Sequence, residues 1–80
     1  MTVRVLLFAS YADAIGASEI RLDLPAGARV RDVLAGVKAL ARGKRIPDHP
    51  MVAVNHRYAQ ADQSVTADDE VAIIPPVAGG

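Results

Sequence analysis

The chain has 80 residues, a length that suits one domain with a single core. Hydrophobic residues make up 51% of it but aromatic residues only 4%, so we expect an ordered core of Val, Leu, Ile and Ala rather than disorder. Nine basic and nine acidic residues cancel, which argues against nucleic acid as the main partner, and the lack of cysteine excludes a disulfide scaffold, a Cys metal site and a thiol nucleophile.

The first part of the chain predicts a hairpin. Residues 2–8 are apolar on both faces at one end, which indicates a central strand. This run is too short for a bilayer span or a signal sequence, so we expect a cytoplasmic protein with no membrane segment. Residues 10–16 predict one helical turn that ends at Gly16. Strict alternation over residues 19–24 predicts a second strand, which ends at the turn of residues 25–27.

The middle of the chain predicts the main helix, over residues 30–41. Its apolar stripe follows the i, i+3, i+4, i+7 rule and consists of Val30, Val33, Leu34, Val37, Leu40 and Ala41. Gly36 lowers helix propensity, and close packing on the sheet would explain its presence. Gly43 is expected to end the helix, with Arg42 and Lys44 placed favourably for its dipole.

The last part of the chain predicts three more strands. They cover residues 51–54, then 58–59 after a tight turn at 55–57, and finally 70–74 after a turn at Asp68 and Asp69. We expect the last strand to pair parallel with the first at the centre of the sheet. The order predicts one α+β domain over residues 1–80, with a mixed sheet of four to five strands packed on one main helix.

No side-chain cluster predicts a self-sufficient active site. His49 and His56 lie in predicted loops without a second ligand at metal-binding spacing, so we expect surface roles and no metal site. The acidic residues 68–70 are better explained as a turn than as paired catalytic carboxylates. The basic residues 42–45 are better explained as a solvated helix end than as a phosphate site.

The C-terminal end, residues 75–80, predicts a functional tail. Two prolines remove backbone donors, so the chain must leave the sheet in an extended form. Side-chain size then falls stepwise to a free α-carboxylate, over a length of at most about 20 Å. Gly79 and Gly80 have no Cβ to clash in a narrow channel. A frayed terminus is the alternative, but this shape suits insertion into the active site of another protein.

Two segments carry a family resemblance: MVAVN at residues 51–55 and DDEVAIIPPVAGG at residues 68–80. With them the whole chain resembles the MoaD family, the small sulfur-carrier subunit of molybdopterin synthase. The ending DEVA-x-x-PPV-x-GG is specific, whereas a bare Gly-Gly occurs in every ubiquitin-like carrier. The chain departs from the family at Ala12 and Asp13, where an Arg-Glu pair is common in the loop after the first strand. It also has Asn55 and His56 where Asn-Gly is common.

The resemblance implies a ubiquitin-like β-grasp fold with a flexible tail over residues 75–80. It implies that a MoeB-like, E1-type partner uses ATP to adenylate the Gly80 carboxylate and that a sulfur donor converts it to a thiocarboxylate. The tail then enters a MoaE-like large subunit, within a two-plus-two heterotetramer, and gives its sulfur to cyclic pyranopterin monophosphate. The resemblance thus implies that the chain is not an enzyme by itself and binds no cofactor.

The same resemblance implies that Gly80 is the reacting residue and that Gly79, which has no side chain, lets the tail fit into the narrow active site of a partner. The expected partner interface consists of Phe8, Ile74, Pro75, Pro76, Val77 and Ala78. Three alternatives stay open: a carrier for thiamin or cysteine biosynthesis, a ubiquitin-like modifier joined through Gly80 to target lysines, and a β-grasp interaction module with an inert tail.

Overall fold

The fold is a single mixed sheet with helices on one face. The computed structural model describes residues 1–41, 46–47 and 49–76. Its elements are β1 (Thr2–Leu7), α1 (Ala9–Ile15), β2 (Glu19–Asp23), α2 (Val30–Ala41), β3 (Met51–Val54), β4 (Arg57–Tyr58) and β5 (Glu70–Ile74). The five strands lie in the order β2-β1-β5-β3-β4. Strand β5 pairs parallel with β1 and antiparallel with β3, which confirms the predicted central pair.

The core lies between the sheet and α2. Alternate residues of β1 and β5 are almost fully buried, as period-two alternation requires: Val3, Val5, Leu7, Val71 and Ile73. The predicted stripe of α2 covers them, and five of its six members are buried. The exception is Leu40, which is 49% exposed. It lies at the edge of the stripe, where the helix surface curves away from the sheet, and it is not part of the core.

Gly36 brings α2 close to β2. A Cβ at this position would lie 3.0 Å from Cδ1 of Leu22, closer than ordinary van der Waals contact. The expectation that Gly36 marks close packing on the sheet is therefore confirmed.

The segment after β1 is more helical than the sequence indicated. Strand β1 ends at Leu7, and Phe8 is the N-cap residue of α1. Helix α1 has 7 residues, about two turns, and ends at Gly16 in the left-handed conformation. Ala12 and Asp13 lie on this helix and not in a loop.

The second hairpin is one residue tighter than predicted. Strand β4 covers Arg57–Tyr58, because a two-residue turn at Asn55 and His56 places Arg57 opposite Val54. Both turn residues have positive φ, 51° and 71°, as the right-handed twist of a two-residue hairpin requires.

Some predictions fall outside the described residues. They are the helix end at Arg42, Gly43 and Lys44 and the last four residues of the tail, 77–80. Among the helices of the described ranges, none is long and apolar enough to cross a membrane.

Candidate functional site

The face of the sheet opposite the helices is divided into a charged end and an apolar end. The ladder registers place Arg21, Arg4 and Glu70 in one row across β2, β1 and β5. Two residues further along β1 and β5, Leu6 lies opposite Ala72, which in turn lies opposite Ala53 of β3. Because β5 runs from Glu70 to Ile74, the chain leaves the sheet at the apolar end.

The apolar end contains a groove of about 440 Å³, here called the apolar groove, lined by Leu6, Phe8, Ala53, His56, Tyr58, Glu70, Ala72 and Ile74. Its floor is formed by Ala53 and Ala72, which face each other across the β3–β5 ladder and have the smallest side chains of the set. Phe8 follows β1 on one side and is 46% exposed, and Tyr58 of β4 on the other side is 74% exposed. A small floor between large exposed rings is a suitable shape for an apolar side chain of a partner.

The charged end holds several ion pairs around Arg4. Its guanidinium pairs with Glu70 and lies 3.7 Å from a carboxylate oxygen of Glu19. Glu19 also lies 3.8 Å from Arg21, and Nε2 of His56 lies 3.8 Å from Glu70. Because these side chains are substantially exposed, each pair contributes little to stability. Their arrangement gives this end a mixed charge next to the apolar groove.

The acidic residues that follow Ala67 form a turn, as predicted. Nδ2 of Asn55 donates to Oδ1 of Asp69 at 2.8 Å, and Oδ1 of Asn55 accepts from the backbone N–H of Glu70 at 2.9 Å. Oδ2 of Asp69 accepts from the backbone N–H of Thr66 at 2.8 Å. The hydrogen bond from Asn55, followed by that from Thr66, lowers the pKa of Asp69. These bonds hold the start of β5 in register with the β3–β4 turn.

The structure brings part of the predicted interface together. Phe8 and Ile74 both line the apolar groove, Pro75 is half-buried and Pro76 is exposed. Val77, Ala78, Gly79 and Gly80 lie outside the described residues, so their predicted roles stay predictions. Sequence reasoning missed the floor and the far wall of the groove, formed by Ala53, Ala72 and Tyr58. The alternation of β3 and β5 could have indicated their face, but their neighbours depend on the register.

Among the residues that the structure describes, neither histidine belongs to a group that could bind a metal ion. His49 is exposed in a bend, and His56 is in the β3–β4 turn. Over the described part of the chain, no three His, Cys, Asp or Glu side chains are grouped so that they could hold a metal ion.

The chain is similar to known proteins over nearly its whole length. The ThiS family pattern matches residues 5–80. A "Molybdopterin synthase sulfur carrier subunit" from Dictyostelium discoideum is 34% identical, over 96% of this chain and 94% of the relative. A protein of the same name from Escherichia coli strain K12 is also 34% identical, over 98% and 99%. The crystal structure of SAMP1 from Haloferax volcanii superposes with a TM-score of 0.82 at 29% identity, over 100% of both chains.

Proposed function

This chain belongs to the ThiS family, and we propose that it is a sulfur carrier, the small subunit of a molybdopterin synthase. Its relatives from Dictyostelium discoideum and Escherichia coli carry this function in their names. Their similarity extends over almost the full length of both chains, so the proposal covers the domain and its tail together.

One observation carries the proposal: the central strand β5 ends at Ile74 beside the apolar groove. Strand β5 is paired on both sides, with β1 and β3, and therefore gives the tail a rigid base. Pro75 and Pro76 then direct the chain away from the ladder. A partner that receives the Gly80 carboxylate must approach within about 20 Å of this strand end. The partner is thus brought over the apolar groove.

The proposed chemistry takes place at the Gly80 carboxylate. A carboxylate is a poor electrophile, so an adenylating partner first uses ATP to form an acyl-adenylate and releases pyrophosphate. A sulfur donor then replaces the AMP leaving group, which gives a thiocarboxylate. Its sulfur is a soft nucleophile that is transferred to cyclic pyranopterin monophosphate, and water restores the Gly80 carboxylate. Gly79 leaves room for the active site to close around the tail.

Two partners follow from this sequence of steps: an E1-type adenylating enzyme and a large synthase subunit that supplies the catalytic residues. We propose that the apolar groove, with Phe8 and Ile74, is the contact surface for the large subunit. Aromatic and aliphatic side chains around a desolvated centre are typical of the residues that dominate binding energy.

Reconstitution tests the assignment to molybdopterin synthase. Thiocarboxylated chain is mixed with the large subunit from the same organism and with cyclic pyranopterin monophosphate, and molybdopterin formation is measured. We expect product in proportion to the thiocarboxylate supplied, and none from the chain that ends in an ordinary carboxylate. A thiocarboxylated chain that forms no product, with a large subunit shown active on another carrier, would assign the sulfur to another pathway such as thiamin or cysteine biosynthesis.

A second candidate is a ubiquitin-like modifier, favoured by the likeness to SAMP1 of Haloferax volcanii, a chain whose name describes a small archaeal modifier protein. A modifier forms an isopeptide bond between Gly80 and a lysine of another protein. The two candidates differ in the fate of the terminus in cells. Peptides with Gly80 linked to lysine would support the modifier, whereas a free or thiocarboxylated terminus alone would oppose it.

A further inference from the structure

Strand β2 is an edge strand of the sheet. The residues on either side of β2 bond to the first strand and to the residue before it. Leu7 N–H donates to the Ser18 carbonyl at 2.9 Å, and Leu24 N–H donates to the Met1 carbonyl at 2.8 Å. Successive residues of a strand direct their backbone N–H and C=O groups to opposite sides, so every second residue bonds to the same neighbour. Ile20 and Leu22 therefore also bond to β1. The N–H and C=O groups of the residues between them, Glu19, Arg21 and Asp23, therefore point away from the sheet. Within the described ranges no strand pairs with them.

The side chains on this edge have a self-complementary charge pattern. Glu19, Arg21 and Asp23 alternate in sign, and all three are exposed. Their side chains lie on the open face of the sheet, whereas Ile20 is half-buried and packs against the core. An antiparallel copy of such a strand can place Glu19 and Arg21 of each chain opposite a residue of opposite charge, and a two-fold axis produces this contact twice.

We propose that β2 pairs antiparallel with β2 of a second copy of this chain and joins the two sheets into one. The outward N–H and C=O groups form the new ladder. In the favoured register Ile20 lies opposite Ile20 of the second copy, so that Glu19 of each chain faces Arg21 of the other. Each pair adds to the Glu19–Arg21 pair within the strand, which is 3.8 Å apart. The result is a group of four charges of alternating sign.

Other registers that use the same outward groups are less favourable. Pairing Arg21 with Arg21 of the second copy places like charges opposite each other and also sets Glu19 against Asp23. A register centred on Leu22 pairs Arg21 with Asp23 but sets Glu19 opposite Pro25, which has no N–H to donate. Like charges therefore disfavour the register centred on Arg21, and the Glu19→Arg variant distinguishes the register centred on Ile20 from the one centred on Leu22, in which Glu19 has no charged partner.

This dimer leaves the proposed carrier site free. Strand β2 and strand β4 are opposite edges of the sheet, and the apolar groove lies over β1, β5, β3 and β4. Two strands that pair only by their edges bury less than the roughly 1,200 Å² of a stable interface. We therefore expect a concentration-dependent dimer that salt weakens, because its ion pairs are exposed.

Sedimentation of the full chain from dilute to concentrated samples tests the proposal. The wild type is expected to rise from the mass of one chain, 8.4 kDa, towards twice that value. Arg21→Glu and Glu19→Arg should each remain at the single-chain mass, because each places like charges opposite each other. The double variant Glu19→Arg/Arg21→Glu restores the pattern with its signs reversed and should dimerise again. A mixture of the two single variants should form a heterodimer.

Arg57→Glu is the matched control, a charge reversal on the opposite edge strand, and it should dimerise as the wild type does. Circular dichroism verifies that each variant is folded. A wild type that stays at the single-chain mass would overturn the proposal and leave the charges as a device that prevents edge pairing. Dimerisation lost in Arg57→Glu but kept in Arg21→Glu would overturn it as well, in favour of the β4 edge.

Discussion

Asn55 and Asp69 are joined by a hydrogen bond of 2.8 Å that links the turn before β4 to the turn before β5. The same Asn55 side chain accepts the N–H of Glu70, so one residue orients the first residue of the central strand. Strand β5 is the base of the tail. The turn that the sequence presents as an acidic cluster therefore anchors the start of β5, the strand from whose other end the tail leaves.

The first prediction concerns acid stability. The pKa of Asp69 is lowered in the fold, so its carboxylate stabilises the native state above the ordinary pKa and loses this contribution as the pH falls through the lower folded value. Asp69→Asn should therefore lower the free energy of unfolding at about pH 7 and have a smaller effect at about pH 3. Urea denaturation at both values measures this. Asp68→Asn is the control, and an equal loss for Asp69→Asn at both values would contradict the role of its charge.

The second prediction concerns the β3–β4 turn. His56 has a φ of 71°, which an L-residue adopts at a cost of about 1–2 kcal/mol and glycine adopts freely. Glycine loses more backbone entropy on folding, which offsets part of the strain that is relieved. His56→Gly should therefore stabilise the fold by a net amount of up to about 1 kcal/mol. Thermal unfolding measures the change. Arg57→Gly, one residue further into the strand, should instead be destabilising. If His56→Gly lowers the stability, the imidazole stabilises the fold by more than its positive φ destabilises it, which would contradict the prediction.

The third prediction concerns the apolar groove. Phe8 and Leu40 are both large and exposed to similar extents, 46% and 49%, but only Phe8 lines the groove. Phe8→Asp should weaken binding to the large subunit by about 30-fold or more, as expected for a residue that anchors an interface. Leu40→Asp, on α2, should change the affinity less than about threefold. Titration calorimetry measures both.

Ile74 gives an independent measurement of the same surface. Ile74→Asp should abolish complex formation while the domain stays folded, because Ile74 lies on the open face of the sheet and not in the core. Unchanged affinity in both Phe8→Asp and Ile74→Asp would remove the apolar groove from the proposed interface.

The fourth prediction concerns the contact between α2 and β2. Gly36→Ala should stabilise α2 by about 1 kcal/mol through its higher helix propensity. The new Cβ would lie 3.0 Å from Cδ1 of Leu22, and this crowding should destabilise the fold by a similar amount, so the net effect on stability is small. In a Leu22→Val background the contact is removed. Gly36→Ala should then stabilise by up to about 1 kcal/mol relative to that background. A double-mutant cycle measures the coupling, and purely additive effects would contradict the packing role of Gly36.

The sequence predicted the elements whose hydrophobic period is long and regular. The stripe of α2 and the strict alternation of residues 19–24 both reflect burial against one core. Boundaries were less accurate. The β3–β4 turn was placed one residue too far along because Asn55 and His56 lack the Asn-Gly signal of a two-residue turn.

The candidate site was only half predictable. Phe8 and Ile74 could be identified because they are large apolar residues near the tail. Ala53 and Ala72 could not, since a small residue in a strand has no signal of its own until the register shows what surrounds it. The groove arises from that register, with Tyr58 facing Ala53 across the β3–β4 ladder.

The sulfur-carrier function is tested by the intact mass of the purified chain after incubation with an E1-type adenylating partner, ATP and a sulfide source. We expect a mass shift equal to the replacement of one oxygen by sulfur, and we expect this shift to be lost when Gly80 is deleted. An unshifted mass, with an adenylating partner shown active on another carrier, would contradict the sulfur-carrier function.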